Sequence, residues 1–298
     1  MYPDSSLKEN VIHGTKKNPI SGIHFTAGKG TPYVDHFFVD RHWHHTVEII
    51  YIVNGNYHFE INLEEHLLST GDLCFLNSED LHQITGCGTD AIHDVLIFDP
   101  HILDFSYPDE LEEAVIAPFL NHELIFPHVV HTSDAAYPVL STLIRKLMSA
   151  SIQTPAGWYI SSKLLLLELV NAMSEWEMLL PANALLSENA RQKIDRYKQI
   201  ISYIEEHYSE PVSLQQLADT VSCNSQYLCR FFKEITGISP IQYLINCRIE
   251  HACTLLTDTT SSILEISMDC GFENISYLTR KFKQLKGCTP NEYRKQRE

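Results

Sequence analysis

The sequence predicts an α+β chain of two domains: an N-terminal β-barrel with a helical segment after it, and a C-terminal all-α domain carrying two helix-turn-helix units. Three observations carry that prediction. Residues 20–100 hold short β-branched and aromatic runs separated by turn residues. From about residue 136 apolar side chains recur every three or four positions. Beyond residue 213 the sequence repeats itself at a nearly constant offset. With 298 residues the chain is long enough for two domains of ordinary size.

The strand region is clearest at Val47–Val53, followed by Asn54-Gly55 and then Tyr57–Ile61. An Asn-Gly pair between two such runs predicts a hairpin, because a type I′ turn needs positive φ at both central positions. Further strands are expected at Asp72–Leu76 and Asp94–Phe98. Many short strands with turns between them suggest a barrel or sandwich over residues 1–135.

In residues 136–190, Val139, Leu140, Leu143, Ile144, Leu147 and Met148 keep helical spacing, as do Ile160, Leu164, Leu167, Val170 and Met173. Pro155-Ala156-Gly157 separates the two helices. Such a pair either packs on the barrel or meets another copy of the chain, and the pattern leaves both open. Pro181 to about residue 191 reads as a linker. Residues 191–298 are helical in pattern throughout.

Charge divides along the same line. Residues 1–190 carry 8 Lys+Arg and 25 Asp+Glu, a net −17, while residues 191–298 carry 14 and 13, a net +1. The acidic part should repel a polyanion and leave its approach to the last third. No apolar run nears the ~18 residues needed to cross a bilayer. Met1–Ser6 has neither a basic nor an apolar leader pattern. A cytoplasmic protein without membrane contact is expected. The eight cysteines form no C-x-x-C pair, so reduced thiols are expected rather than a zinc cluster.

The repeat is the strongest signal. Tyr227, Leu228, Arg230, Phe232, Lys233, Gly237, Pro240 and Tyr243 recur as Tyr277, Leu278, Arg280, Phe282, Lys283, Gly287, Pro290 and Tyr293. Ser213-x-x-Gln216 and Ser262-x-x-Glu265 are capping boxes, and Asn224 and Asn274 stand as N-caps of the helix that follows. Each unit (about 213–235 and 262–285) is therefore a short helix, a tight turn and a second helix. In a helix-turn-helix, the second helix offers its N-terminal residues to base edges in the major groove. Ser225, Gln226, Cys229, Arg230 and Lys233 can share one face of the first such helix. Asn274, Ser276, Thr279, Arg280 and Lys283 correspond on the second. Arg can fork onto guanine and Gln onto adenine. Lys233, Lys281, Lys283 and Lys286 read as phosphate contacts. A plain helical bundle with solvated arginines is the competing reading, and two copies with matched caps, Arg, Gly and Pro argue against it.

Residues 192–298 resemble the tandem helix-turn-helix domain of the AraC/XylS family of bacterial transcription regulators. The resemblance is densest over Cys270-Gly271-Phe272-Glu273-Asn274-Ile275-Ser276-Tyr277-Leu278-Thr279-Arg280-Lys281-Phe282-Lys283 and on to Gly287, Pro290, Tyr293 and Arg294. Ser267 departs from the family's usual Ala, and Cys270 from its frequent Val. The resemblance implies a sequence-specific transcription regulator, an activator of a carbohydrate or other small-metabolite operon. Its implied partners are double-stranded promoter DNA, a small-molecule effector such as a sugar, RNA polymerase and a second copy of itself. Helices 136–180 would be the dimer contact, and helix 239–257 would join the two DNA-reading units. No cofactor and no catalytic residue is expected.

Fourteen of the 16 histidines precede residue 135. His42-x-His44-x₃-Glu48 places three donors at one parity, which on a single strand means one face, and His82 follows after a second strand. The set resembles the metal motif of cupin barrels, although Asn77 and Glu79 stand where that pattern has Pro and Gly. AraC-type regulators commonly carry a cupin-like barrel whose pocket binds an effector without a metal. Arg41, His42, Trp43, His44, Glu48 and His82 are thus candidate effector-binding residues. A bound divalent metal or a merely structural polar cluster stays open for the same side chains. Trp43 could stack on a sugar ring or belong to the core. A metal-dependent oxygenase and an alkyl-transfer repair protein are enzyme alternatives. The first lacks any need beyond a sensor role, and the second lacks a cysteine in a basic setting.

Overall fold

A computed structural model describes residues 17–26, 36–105, 107 and 109–295. The leader stretch Met1–Ser6 lies outside them. The described residues divide into two compact units, with the boundary between Arg191 and Gln192.

The first unit is rich in strands: β1 (Ile20–Thr26), β2 (His36–His42), β3 (Val47–Ile61), β4 (Glu64–Ser69), β5 (Leu73–Leu76), β6 (His82–Phe98), β7 (Leu124–Ile125), β8 (Val129–Val130) and β9 (Leu180–Pro181). Helices α1 (Ala117–Leu120), α2 (Tyr137–Gln153) and α3 (Trp158–Glu175) complete it. Seven strands make one antiparallel sheet in the order β1-β6-β3-β5-β8, with β2 on the other half of β6 and β4 on the other half of β3. Among the described residues no pairing closes this sheet into the ring that a barrel requires.

The hairpin expected at Asn54-Gly55 is not there. β3 runs straight through it, because both of its halves pair with β6: Val47–Ile52 face Phe98–His93, and Asn56–Ile61 face Cys87–His82. Register shifts around Asn54 bend the strand instead of reversing it. Gly55 has φ 101°, and a Cβ there would lie 3.1 Å from the Ala91 Cα. The tight turn falls at Asn62-Leu63, with φ of 53° and 70°, between the paired residues Ile61 and Glu64. Asn62 tolerates that backbone because its side chain is fixed at both ends. Its amide donates to Asp80 Oδ1 at 2.6 Å and its oxygen accepts from Leu81 N at 3.0 Å.

The unbroken apolar run of β3 has a plain cause. Val47 and Ile49 join a core shared with α2 and α3, including Leu140, Ile144, Leu166 and Leu169. Ile50 and Ile52 join a second core, inside the folded sheet, with Phe59, Leu76, Ile84 and Ile97. Both faces of β3 are buried there, so alternation disappears. Gly22 of β1 sits so near α2 that a Cβ would meet the Ser151 carbonyl carbon at 2.6 Å. The helices break where expected, at Thr154 and Gly157, both left-handed.

The second unit holds α4 (Glu188–His207), α5 (Leu214–Thr220), α6 (Ser225–Thr236), α7 (Pro240–Asp258), α8 (Ile263–Asp269), α9 (Ile275–Lys286) and α10 (Pro290–Lys295). The linker expected to reach residue 191 is shorter, because α4 already begins at Glu188. Both capping boxes form, at Ser213/Gln216 and Ser262/Glu265. Asn224 and Asn274 each accept from the N–H three residues on, at 2.8 Å. Gly237 and Gly287 end their helices at φ 76° and 78°. Leu228, Phe231 and Phe232 of α6, and Leu278 and Phe282 of α9, are buried.

Candidate nucleic-acid interface and histidine cluster

On α6, the spacing of Ser225, Gln226, Cys229, Arg230 and Lys233 becomes one surface. All five line an open groove of about 490 Å³, together with Leu214 at the start of α5. Gln226, Arg230 and Lys233 are exposed, and Ser225 and Cys229 half-buried. Ser225 is partly committed, since its hydroxyl donates to Gln215 Oε1 at 2.9 Å.

On α9, Asn274, Ser276, Arg280 and Lys283 are exposed and Thr279 half-buried. Asn274 spends its side-chain oxygen on the cap. Thr279 donates its hydroxyl back to Ile275 O at 2.8 Å. The two arginines are supported alike: Arg230 stands 5.9 Å from the Tyr227 ring centre and Arg280 5.2 Å from that of Tyr277. The repeat contained both tyrosines, and their spacing of three to the arginine was the signal for this support.

Three basic residues are engaged within the unit. Lys286 pairs with Glu250 at 2.7 and 2.8 Å, half-buried, whereas Lys233 and Lys283 are exposed. Burial works against its charge, but the Glu250 carboxylate more than offsets it and the Lys286 pKa rises. Arg294 donates to Leu256 O and Ser261 O, and Arg248 donates to Tyr208 O and Glu210 O. Both clamp helix ends within the unit.

In the first unit the predicted set separates. His42, His44 and His82 come together, with one ring nitrogen from each within 4.8 Å of the others. They do not share a strand. His42 ends β2 and faces His82 at the start of β6, while His44 lies on the link to β3. Glu48 has the parity of Ile50 and Ile52, so it faces the inner core. Its Oε2 is 3.3 Å from His44 Nε2 and 3.8 Å from His82 Nε2. His44, Glu48 and His82 are buried and His42 is half-buried. Arg41 is engaged by Glu60 of β3. Trp43 is 2% exposed and belongs to the core.

Other polar groups are buried nearby. The Tyr57 hydroxyl and His93 Nδ1 share a hydrogen bond of 2.8 Å, and Phe25 stacks on the same imidazole. Burial, helped by His24, pushes the His93 pKa down to about 3. Burial alone would raise the Asp80 pKa. Hydrogen bonds from His128, Asn62 and Asn77 N hold it below the usual carboxylate value instead. All eight cysteines are free thiols, and burial lifts those of Cys253 and Cys270 to about 11 and 12.

Comparison with known proteins follows the same division. Residues 217–296 match the model of a helix-turn-helix domain. Residues 27–105 match that of an AraC-like ligand binding domain. The chain belongs to the AraC/XylS family. Its full-length relatives include the HTH-type transcriptional regulator YdeC of Bacillus subtilis, 27% identical over 98% of this chain and 97% of that protein. The melibiose operon regulatory protein of Escherichia coli is 26% identical over 87% of this chain and 85% of its own length. The transcriptional activator RhaS of Enterobacter sp. is 24% identical over 87% and 88%. Among solved structures, the C-terminal domain of AraT from Geobacillus stearothermophilus is 33% identical. It covers 34% of this chain and 85% of that one, with a TM-score of 0.33. As an AraC/XylS-family member the protein is a DNA-binding transcription regulator, with a sheet-rich ligand-binding domain and a helical DNA-binding domain. No described helix is long and apolar enough to cross a membrane.

Proposed function

We propose that this regulator is a cytoplasmic, non-enzymatic, effector-responsive activator of a carbohydrate or other small-metabolite operon. Its two helix-turn-helix units, α5–α6 and α8–α9, read successive major grooves of promoter DNA. The observation that carries this reading is the doubled surface. Gln226, Arg230 and Lys233 on α6, and Ser276, Arg280 and Lys283 on α9, are exposed on helices with the same N-cap, the same C-terminal Gly and the same supporting Tyr. Forked arginines would read guanine, and Lys233 and Lys283 would take phosphate. Residues 1–135 are read as a cupin-like sensor whose inner side holds the effector near His42, His44, Glu48 and His82. Sugar-operon regulators among the relatives support a sugar or similar metabolite. The effector must bind one arrangement of the protein better than another to shift anything. The segment 136–190 would carry the homodimer contact, supported by exposed Val139, Ile160, Leu164 and Trp176 on and beside α2 and α3. RNA polymerase is the partner that activation requires.

The test is footprinting on the cognate promoter. Arg230→Ala or Arg280→Ala should each cost about 1–3 kcal/mol and relax base preference at one position. A footprint unchanged in strength and sequence preference would remove α6 and α9 as the reading helices.

A further inference from the structure

We propose that His42, His44, His82 and Glu48 bind one divalent first-row transition-metal ion. His42 Nδ1 lies 2.8 Å from Asp40 O, His44 Nδ1 3.0 Å from Thr46 O, and His82 Nδ1 2.8 Å from Asp80 O. A carbonyl only accepts, so Nδ1 of His42 and His82 carries the hydrogen and Nε2 of each neutral ring carries a lone pair. At His44 the Thr46 hydroxyl also lies 2.9 Å from Nδ1 and Glu48 3.3 Å from Nε2, so a bound ion would select the tautomer with the hydrogen on Nδ1. This is the orientation that metal-bound histidines take from their outer partners. Here the same device occurs three times, each time on a carbonyl two residues away.

Three imidazole nitrogens converge. The Glu48 carboxylate adds a fourth acceptor, 3.3 and 3.8 Å from two of them. These four donor groups face one another closely enough to surround one cation. The neighbouring Arg41 is engaged by Glu60. Ring nitrogens within 4.8 Å of one another need to draw in by roughly 1–2 Å at most. Bonds of about 2.1 Å to one ion set neighbouring donors about 3 Å apart and opposite donors about 4 Å apart. The rings already lie close, with the His42 and His82 centres 4.2 Å apart and tilted, and those of His44 and His82 5.1 Å apart and edge-on. Half-exposed His42 leaves an entry path on one side.

The donor set selects the ion. Three imidazoles and one carboxylate suit zinc, iron(II), cobalt(II), nickel(II), manganese(II) or copper(II). Calcium and magnesium prefer all-oxygen ligands. Thiolates are absent from the described cluster.

The experiment uses the full chain, stripped with a chelator, dialysed and titrated with cobalt(II) and with zinc(II). One equivalent per chain should bind, with cobalt d–d absorption and a rise in melting temperature. His44→Gln, His82→Gln and Glu48→Gln should each weaken binding at least tenfold. The double variant His66→Gln/His131→Gln should still take up one equivalent. Should the cluster variants fail to fold, copper(II) on the unaltered chain gives a second reading: electron paramagnetic resonance with nitrogen hyperfine structure from several imidazoles is expected. Absence of saturable binding overturns the proposal, as does one equivalent that survives His44→Gln and His82→Gln unchanged, or a copper spectrum without imidazole nitrogen. DNA footprinting is independent of all these readouts, so failure here leaves the regulator reading standing.

Discussion

His93 is held neutral between Phe25 and Tyr57, with its pKa lowered from 6.5 to about 3, chiefly by burial. The unfolded chain takes up a proton below pH 6.5 that the folded chain refuses, so stability is complete above that pH and falls as acid is added. The slope approaches about 1.4 kcal/mol per pH unit for one such group. His66, also lowered by burial, acts in the same sense. Denaturant melts between pH 6.5 and 5, where most carboxylates stay ionised, should show the loss, and His93→Gln should flatten it. An equal slope in the variant would refute the assignment. The turns before α6 and α9 give a second residue-level contrast. Ser222 and Gly271 hold equivalent left-handed positions, φ 52° and 72°. Gly271 faces backbone, with Tyr208 O 2.6 Å from a built Cβ, whereas Ser222 is exposed. Gly271→Ala should therefore lower stability by about 2–4 kcal/mol, while Ser222→Ala should stay within about 1 kcal/mol. Asn224 and Asn274 were legible as caps because capping depends on neighbours three residues away. The burial of Trp43 and the pairing of Arg41 with Glu60 were not, because they depend on a strand that is distant in sequence.

Elements show the same split between near and far. Every helix boundary set by a capping box, a Pro or a C-terminal Gly was readable, because the orphan N–H and C=O groups of a helix end are satisfied locally. The hairpin was not. Asn54-Gly55 has the right chemistry for a turn, yet β3 gains more by pairing both halves with β6, and the turn moves to Asn62-Leu63. Packing between elements is similarly hidden. Nothing in the sequence marks Gly22 as the place where β1 meets α2, with Ser151 backbone 2.6 Å from a built Cβ. Gly22→Ala should push α2 off the sheet and cost about 2–4 kcal/mol, seen as a lower denaturation midpoint with an unchanged m-value. A midpoint equal to that of the parent would mean that α2 is not seated there.

At the scale of the whole molecule, charge and apolar surface are distributed for different tasks. Net −17 in residues 1–190 against +1 in 191–298 leaves DNA attraction to the second part. Ile160 and Leu164 are more than half exposed on α3, an apolar stripe suited to the proposed self-association. Leu164→Glu should shift the full chain toward monomer in sedimentation velocity and leave its helix content intact. A distribution identical to the parent's would place the dimer contact elsewhere.

The sequence by itself determined the two-part architecture, the repeated helix pairs with their caps, and the exposed arginine faces, since period, capping and turn chemistry act over a few residues. Only the tertiary structure decided that β3 bends instead of turning, that Lys286 is spent on Glu250, and that His42, His44, His82 and Glu48 meet from separate segments. Those outcomes rest on which distant strand or helix offers the better partner, and that competition is settled by pairing and burial over the whole unit.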